Sequence, residues 1–196
     1  LVEGQGSKTF SQAKSFLFAE PRLSRMILEK LTDVMIGYLQ AQVDAGAQAL
    51  MIFDSWAGLL ADEDYKKFAY PTVCRIISTL SHLDIPLIYF PNQGATLLGT
   101  VKDCGADVVG VDWRTSLSVA RKLLGSDIAV QGNLDPMALF SSKEDLGSKI
   151  DKTLREGGPE PGHIFNLGHG IDKNTDPDRV SFLVERVRET SQKELY

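Results

Sequence analysis

Short apolar runs alternate with longer helical patterns along most of the chain. Each run is bounded by polar or turn-forming residues, which is typical of a buried β-strand. Between the runs, apolar residues recur at three- and four-residue spacing, as they do on one face of an amphipathic helix. Signals typical of β-hairpins do not separate the runs, so the pattern predicts parallel strands joined by helices. The predicted strands are residues 49–53, 86–90, 107–112, 128–132 and 163–165.

Prolines and glycines set most boundaries of the predicted helices. Pro21 opens a helix that ends near Gly46. Another helix is predicted over residues 61–83, and Pro71 is expected to break or restart it. Further helices are predicted to begin near residues 10–14 and to cover residues 95–105 and 116–125.

Capping residues define the last two predicted helices. Ser141 and Glu144 have the spacing of a capping box, which predicts a helix that glycines stop at residues 157–158. Asp176 is the predicted cap of the final helix, with Pro177 at its first position. That helix is expected to run almost to the end of the chain.

Two architectures fit such a parallel sheet: an open doubly wound sheet and a (β/α)8 TIM barrel. No G-x-G-x-x-G motif follows an early strand, so the nucleotide-binding form of the open sheet lacks its main motif. The sequence starts at Leu1 without methionine, and residues 1–7, LVEGQGS, look like the tail of a strand. A complete barrel usually needs about 250 residues. We therefore expect residues 1–196 to form one partial barrel domain, the C-terminal five or so βα units of a (β/α)8 barrel.

The composition narrows the class of partner. The chain has 196 residues, 43% of them hydrophobic, which is enough for one core. The net charge is −5 and the 21 Lys and Arg residues are spread along the chain, so we expect no nucleic-acid partner. No apolar run approaches the roughly 20 residues that cross a bilayer, so we expect no membrane partner. Cys74 and Cys104 form no C-x-x-C motif, and we interpret both as buried, inert thiols in a reducing cytosol.

Polar residues follow every predicted strand. In parallel α/β folds the chemistry lies beyond the carboxyl ends of the strands, so this concentration at one rim indicates an enzyme. Structural interpretations compete with the functional ones. Asp135 precedes Pro136 and is expected to cap a helix, whereas Asp112 either caps the helix near Ser116 or faces a ligand. The polar segments are residues 54–56, 91–94, 112–114, 131–135 and 166–169.

The same rim offers an ion pair, two tryptophans and a serine. Asp54 is expected to pair with Arg114 as a structural bridge, unless Arg114 contacts a ligand. Trp56 and Trp113 are interpreted as packing the rim. Ser55 either bonds a nearby backbone group or binds a ligand, and the absence of a G-x-S-x-G motif argues against a nucleophile.

His169 is the strongest candidate for a ligand contact. It lies between Gly168 and Gly170, and glycines on both sides indicate a tight turn or a close approach of the backbone. A histidine placed there is expected to meet a ligand and not the core. His163 starts the last strand, at the opposite rim, and is interpreted as structural.

Five motifs resemble the uroporphyrinogen decarboxylase family, in the expected order and spacing. They are FDSWAG (53–58), QGNLDP (131–136) and FNLGHGI (165–171), with LVEGQGS (1–7) and VVGVDW (108–113) in agreement. The resemblance covers essentially the whole chain. It implies a (β/α)8 barrel, usually a homodimer, that converts the four acetate side chains of uroporphyrinogen III to methyl groups and gives coproporphyrinogen III. It also implies that the reaction uses no metal and no organic cofactor.

The resemblance extends to single residues. Ser55 matches the family's serine that contacts a substrate carboxylate, and His169 matches its substrate-binding cleft histidine. The family's catalytic aspartate, its N-terminal arginines and its cleft tyrosine fall upstream of Leu1, so no catalytic residue is expected in this chain. Arg114, which the family pattern does not assign, is our own candidate for a further substrate contact. We therefore expect the 196-residue chain alone to be inactive.

Two other functions remain open from the sequence. The same superfamily fold serves cobalamin-linked methyltransferases that use zinc, and such a site needs Cys and His ligands at strand ends. Both cysteines here are predicted to lie in helices, which disfavours that function. The other alternative is a barrel fragment kept only as a dimerisation or binding module. The expected location is the cytoplasm, or a plastid if a transit peptide precedes the sequence.

Overall fold

One sheet of five parallel strands forms the centre of the molecule. The computed structural model describes residues 2–158 and 162–193. Each strand overlaps the run predicted for it, and the strands follow one another in the sheet in chain order. The predicted parallel α/β fold is confirmed. The strands are β1 (Leu50–Asp54), β2 (Leu87–Pro91), β3 (Val108–Gly110), β4 (Ala129–Leu134) and β5 (His163–Leu167).

Helices connect successive strands and also flank the sheet at both ends of the chain. Short 3-10 helices cover Ala57–Leu59, Ser81–Leu83 and Pro136–Phe140. The α-helices in the described residues are α1 (Ser11–Ala19), α2 (Pro21–Asp44), α3 (Asp62–Phe68), α4 (Tyr70–Leu80), α5 (Leu98–Val101), α6 (Leu117–Leu124), α7 (Lys143–Gly157) and α8 (Pro177–Lys193).

The sheet is strongly curved. The side-chain nitrogen Nε2 of Gln131 on β4 lies 3.5 Å from the sulfur of Met51 on β1. Neighbouring strands are about 4.8 Å apart, so β1 and β4 would be roughly 14 Å apart in a flat sheet. The contact therefore requires the sheet to curl toward the face that carries these two side chains, which we call the concave face. Curvature, strand order and outer helices together are those of a partial (β/α)8 barrel.

Helices cover the convex face of the sheet and leave apolar side chains exposed on the concave face. The cores under the helices include Leu50, Tyr89, Val109 and Val130 from the strands, with Leu146 and Ile150 of α7 in a second cluster near β5. On the concave face Phe53 is 67% exposed and Ile164 is 43% exposed. The outward layer is thus packed as in a complete barrel, and the inner layer is open.

The structure confirms one predicted helix boundary and corrects another. Pro71 lies in the first turn of α4, just after α3 ends, so the predicted break is confirmed; a missing N–H is harmless at that position. The helix predicted over 95–105 is too long, because only α5 is helical there. Cys104 lies in the following turn, and Gly105, with a φ of 87°, redirects the chain into β3.

The predicted cap of α7 at Ser141 is wrong by one residue. Ser142, and not Ser141, caps α7, since its hydroxyl accepts the N–H of Asp145 at 3.1 Å. Ser141 instead donates to the carbonyl of Ala138 at 2.6 Å and closes the preceding 3-10 helix. Asp176 does cap α8, by accepting the N–H of Asp178 at 3.0 Å. Residues 194–196, at the predicted end of that helix, and Leu1 lie outside the described residues.

Both cysteines are free thiols. Cys74 is half-buried in α4 and Cys104 is buried. Burial raises the pKa of both thiols, that of Cys104 to about 11, which keeps them protonated and unreactive near neutral pH. Within the described residues, no helix combines the length and the apolar character that a membrane crossing requires.

Candidate functional site

A cavity of about 610 Å³ opens on the concave face at the carboxyl ends of the strands. Its floor is apolar, and its polar side chains are a hydroxyl, an imidazole and two amides. Ser55 and His169, predicted from the sequence to bind substrate, both line this cavity, and both are exposed. Arg114 is not among the lining residues. The lining comprises Met51, Phe53, Ser55, Phe90, Gly110, Val111, Gln131, Asn166, Leu167, His169, Gly170 and Ile171.

The turn that carries Ser55 is held by its neighbour Asp54. The Asp54 carboxylate accepts the hydroxyl of Tyr89 at 2.9 Å and lies close to the backbone N–H groups of Trp56 and Ala57. Burial raises the pKa of the Asp54 carboxyl above its usual value, and the Tyr89 hydroxyl and these two N–H groups act against that rise. The predicted pairing of Asp54 with Arg114 is therefore wrong, because the carboxylate faces the helix layer.

Asp112 connects two loops of the rim. It is 4% exposed, and its carboxylate accepts the N–H of Gln93 at 2.6 Å and that of Arg114 at 2.8 Å. It does not cap α6, since Ser116 does so by accepting the N–H of Val119. A buried carboxylate with these donors fixes the loop after β3 to the loop after β2.

Asn133 ties β4 to the same loop. Its side-chain amide donates to the carbonyl of Asp112 at 2.8 Å and to that of Thr115 at 2.5 Å. Asp135, two residues later, accepts the N–H of Met137 at 2.9 Å, so its predicted role as a cap is confirmed. The loop after β3 is thus held from both neighbouring strands.

Gly168 lets the loop after β5 touch the loop after β3. A Cβ atom on Gly168 would lie 2.4 Å from the backbone nitrogen of Trp113, and its own N–H donates to the carbonyl of Leu134 at 2.7 Å. A Cβ on Gly170 would meet nothing within 4 Å. The close approach predicted for the glycines beside His169 therefore occurs at Gly168 and not at Gly170.

His169 and Arg114 contact the same indole. The rings of His169 and Trp113 meet edge-on at 87° with centroids 6.1 Å apart. The Arg114 guanidinium lies 3.9 Å from the Trp113 ring centroid, and one of its nitrogens is 3.6 Å from Asp112. The Arg114 side chain is 44% exposed, so this cation lies at the rim beside the cavity.

The remaining aromatic and histidine predictions concern packing. Trp56 packs on Phe10 with ring centroids 4.7 Å apart, as expected for a rim residue. His163 lies at the amino end of β5, away from the cavity, and its Nε2 donates to the carbonyl of Gly132 at 2.8 Å. Burial lowers the pKa of His163, which fits a neutral structural imidazole.

Other residues of this region had no individual role predicted from the sequence. Gln131 and Asn166 fall in two of the polar segments that follow the predicted strands, and the structure places their amide groups in the cavity. Tyr65 and Tyr89 form a buried hydrogen bond, 2.8 Å between hydroxyl oxygens, behind Asp54. Nothing local in the sequence identifies that pair.

The arrangement suits a large ligand with several anionic groups. Hydroxyl, imidazole and amide groups face a cavity with an apolar floor, and each of them can donate a hydrogen bond to a carboxylate. Among the described residues, no group of three or more His, Cys, Asp or Glu side chains is arranged to hold a metal ion.

Sequence comparison places the chain among known proteins. Residues 1–190 match the family model of uroporphyrinogen decarboxylase (URO-D). A uroporphyrinogen decarboxylase of Myxococcus xanthus is 48% identical over 187 residues, which are 95% of this chain and 53% of that protein. One of Desulfotalea psychrophila is 48% identical over 193 residues, 98% of this chain and 57% of that protein. The chain thus spans about half the length of these relatives.

Solved structures agree with the fold. A methyltransferase from Methanosarcina mazei has a TM-score of 0.81 at 20% identity, and the match covers 93% of this chain and 54% of that one. A Schiff-base-forming fructose-1,6-bisphosphate aldolase has a TM-score of 0.50 at 18% identity, over 76% of this chain and 61% of that one. At these identities the likeness concerns the fold alone. Because the family model matches nearly the whole sequence, the chain belongs to the uroporphyrinogen decarboxylase family.

Proposed function

We propose that this chain provides the substrate-carboxylate-binding part of a uroporphyrinogen decarboxylase. The reaction would remove CO2 from the four acetate side chains of uroporphyrinogen III and give coproporphyrinogen III. The observation that carries the proposal is that Ser55 and His169, on different strand-end loops, line one cavity in a chain of this family.

The chemistry explains why such groups are needed. Loss of CO2 from an acetate leaves an electron pair, and a pyrrole ring protonated on carbon accepts it. The enzyme must stabilise the cationic ring and hold the remaining carboxylates still. Ser55 would donate its hydroxyl proton to one carboxylate, and His169 would donate an N–H to another. Neither residue would transfer a proton to the ring, so both would act in binding and orientation.

Arg114 is a weaker candidate for the same task. Its guanidinium lies over Trp113 at the rim, and Trp113 in turn contacts His169. A half-exposed side chain of this length can reach a carboxylate that extends beyond the cavity. We propose that Arg114 makes a peripheral contact with substrate after leaving its 3.6 Å pairing with Asp112.

The family resemblance supports four further proposals. The active protein would be a homodimer. It would act in the cytoplasm, or in a plastid if the organism has one. It would need neither a metal ion nor an organic cofactor. The 196-residue chain alone would bind substrate weakly and turn none over, since the family's catalytic aspartate matches no position in it. Sedimentation analysis and turnover after chelator treatment test the dimer and the cofactor requirement.

Binding of a stable octacarboxylate tetrapyrrole tests the proposed role of the cavity. Uroporphyrin III, the oxidised form of the substrate, is titrated against the chain and followed by quenching of tryptophan fluorescence. Ser55→Ala and His169→Ala are each expected to raise Kd by about tenfold or more, the effect of losing a hydrogen bond to a charged group. His82→Ala, an exposed histidine outside the cavity, is the control and should leave Kd unchanged. Equal Kd values for all four proteins would contradict the proposal.

A further inference from the structure

A buried chain of hydrogen bonds leads from helix α3 to the turn that carries Ser55. The hydroxyls of Tyr65 and Tyr89 are 2.8 Å apart, and both side chains are fully buried. Tyr89 donates its only proton to the Asp54 carboxylate at 2.9 Å. Tyr65 must therefore donate to the oxygen of Tyr89, so the chain has one direction and ends at Asp54.

The Asp54 carboxylate also lies close to the backbone around Ser55. The N–H groups of Trp56 and Ala57, the two residues that follow Ser55, are near enough to stabilise its charge. The side-chain amide of Asn92 holds the Ser55 carbonyl from the other side at 3.1 Å. The backbone on both sides of Ser55 is thus fixed by groups that lie outside the cavity.

We propose that Asp54 is a positioning residue for Ser55, and that Tyr89 and Tyr65 fix its carboxylate from the helix side of the sheet. The functional part of this inference rests on the proposed role of Ser55 in binding a substrate carboxylate. Asp54 itself does not line the cavity. It acts through the turn, because Asp54 directly precedes Ser55 and Tyr89 anchors its carboxylate at 2.9 Å.

The two tyrosines provide a graded pair of variants. Tyr65→Phe removes only the hydrogen bond between the two hydroxyls, whereas Tyr89→Phe removes that bond and also the one to Asp54. If Tyr65 acts only by orienting the Tyr89 hydroxyl, its loss should loosen the turn slightly. A positioning role predicts that losing the bond to Asp54 has the larger effect, so Tyr89→Phe should loosen the turn much more than Tyr65→Phe.

Amide hydrogen exchange in the 196-residue chain separates these outcomes without any ligand. In Tyr89→Phe, exchange at Trp56 and Ala57 is expected to rise about tenfold or more relative to amides of α7, whereas Tyr65→Phe should change it less than about threefold. Asp54→Asn, whose amide keeps a single acceptor oxygen, should also raise it and serves if Tyr89→Phe does not fold. Unchanged exchange in the folded variants, or equal changes in both tyrosine variants, would overturn the proposal.

A double-mutant cycle with uroporphyrin III adds the functional readout. Tyr89→Phe should weaken binding, and combining it with Ser55→Ala should weaken it no further than Ser55→Ala alone. Additive losses would show that Tyr89 acts independently of Ser55 and would contradict the positioning role. If the unaltered chain binds no uroporphyrin, the proposed function fails at that point, while the exchange experiment still decides whether Asp54 holds the turn.

Discussion

Replacing Gly168 with alanine would insert a methyl group between two backbone segments. The new Cβ would lie 2.4 Å from the nitrogen of Trp113 and 3.1 Å from its Cα. Contacts of a real Cβ below 3.0 Å are essentially never seen, so the loop after β5 must move by about 0.6 Å or more. The obstacle is backbone and not the end of a flexible side chain, so rotation about a side-chain bond cannot relieve it.

The expected loss of stability follows from these contacts. Overpacking of this kind typically costs about 1–3 kcal/mol. The same movement strains the hydrogen bond from the Gly168 N–H to the Leu134 carbonyl, now 2.7 Å, and a weakened bond adds roughly 1 kcal/mol. We therefore expect Gly168→Ala to lower the free energy of unfolding by about 2–4 kcal/mol. His169 would move with the loop and away from its 6.1 Å contact with Trp113.

Gly170→Ala is the matched control on the other side of His169. Its Cβ would meet nothing within 4 Å, so the free energy of unfolding should change by less than about 0.5 kcal/mol. Urea denaturation followed by circular dichroism measures both variants. Equal unfolding free energies for the two alanine variants would refute the argument that backbone contact, and not local flexibility, requires Gly168.

Two further perturbations test other parts of the fold. Burial lowers the pKa of His163 below its unfolded value near 6.5, so the unfolded chain binds a proton more readily and acidification favours unfolding. His163→Gln should therefore reduce the stability that the protein loses between about pH 7 and pH 5. The midpoint of urea unfolding, measured against pH, tests this. Gly110→Ala would place a Cβ 2.7 Å from a ring carbon of Phe90 and displace that ring into the cavity. The free energy of unfolding should fall by about 1–3 kcal/mol, which thermal unfolding detects. An unchanged unfolding midpoint would contradict the proposed close packing.

The sequence predicted the framework of the fold because the relevant signals are local. Apolar runs bounded by turn residues identify β1 to β5, and Pro71 and Asp176 identify helix starts through their own backbone chemistry. The rule that parallel strands end at one rim also brought Ser55 and His169 to the same place.

Partners distant in the sequence were not predictable in the same way. Asp54 pairs with Tyr89, 35 residues away, and Asp112 with the N–H of Gln93, 19 residues away. Both pairs depend on strand register, which the residue pattern leaves open. The expected pairing of Asp54 with Arg114 was wrong because residues alternate between the two faces of a strand, and the Asp54 side chain faces the helices.

The central claim is that this chain binds the carboxylates of uroporphyrinogen so that the reaction can proceed in a complete barrel. The most direct measurement uses a chimera in which residues 1–190 replace the matching segment of the Myxococcus xanthus relative. The folded chimera is treated with a chelator and incubated anaerobically with uroporphyrinogen III, and products are separated by carboxylate number. We expect stepwise loss of four carboxylates, with Ser55→Ala and His169→Ala raising KM. A folded chimera that removes no carboxylate would contradict the claim.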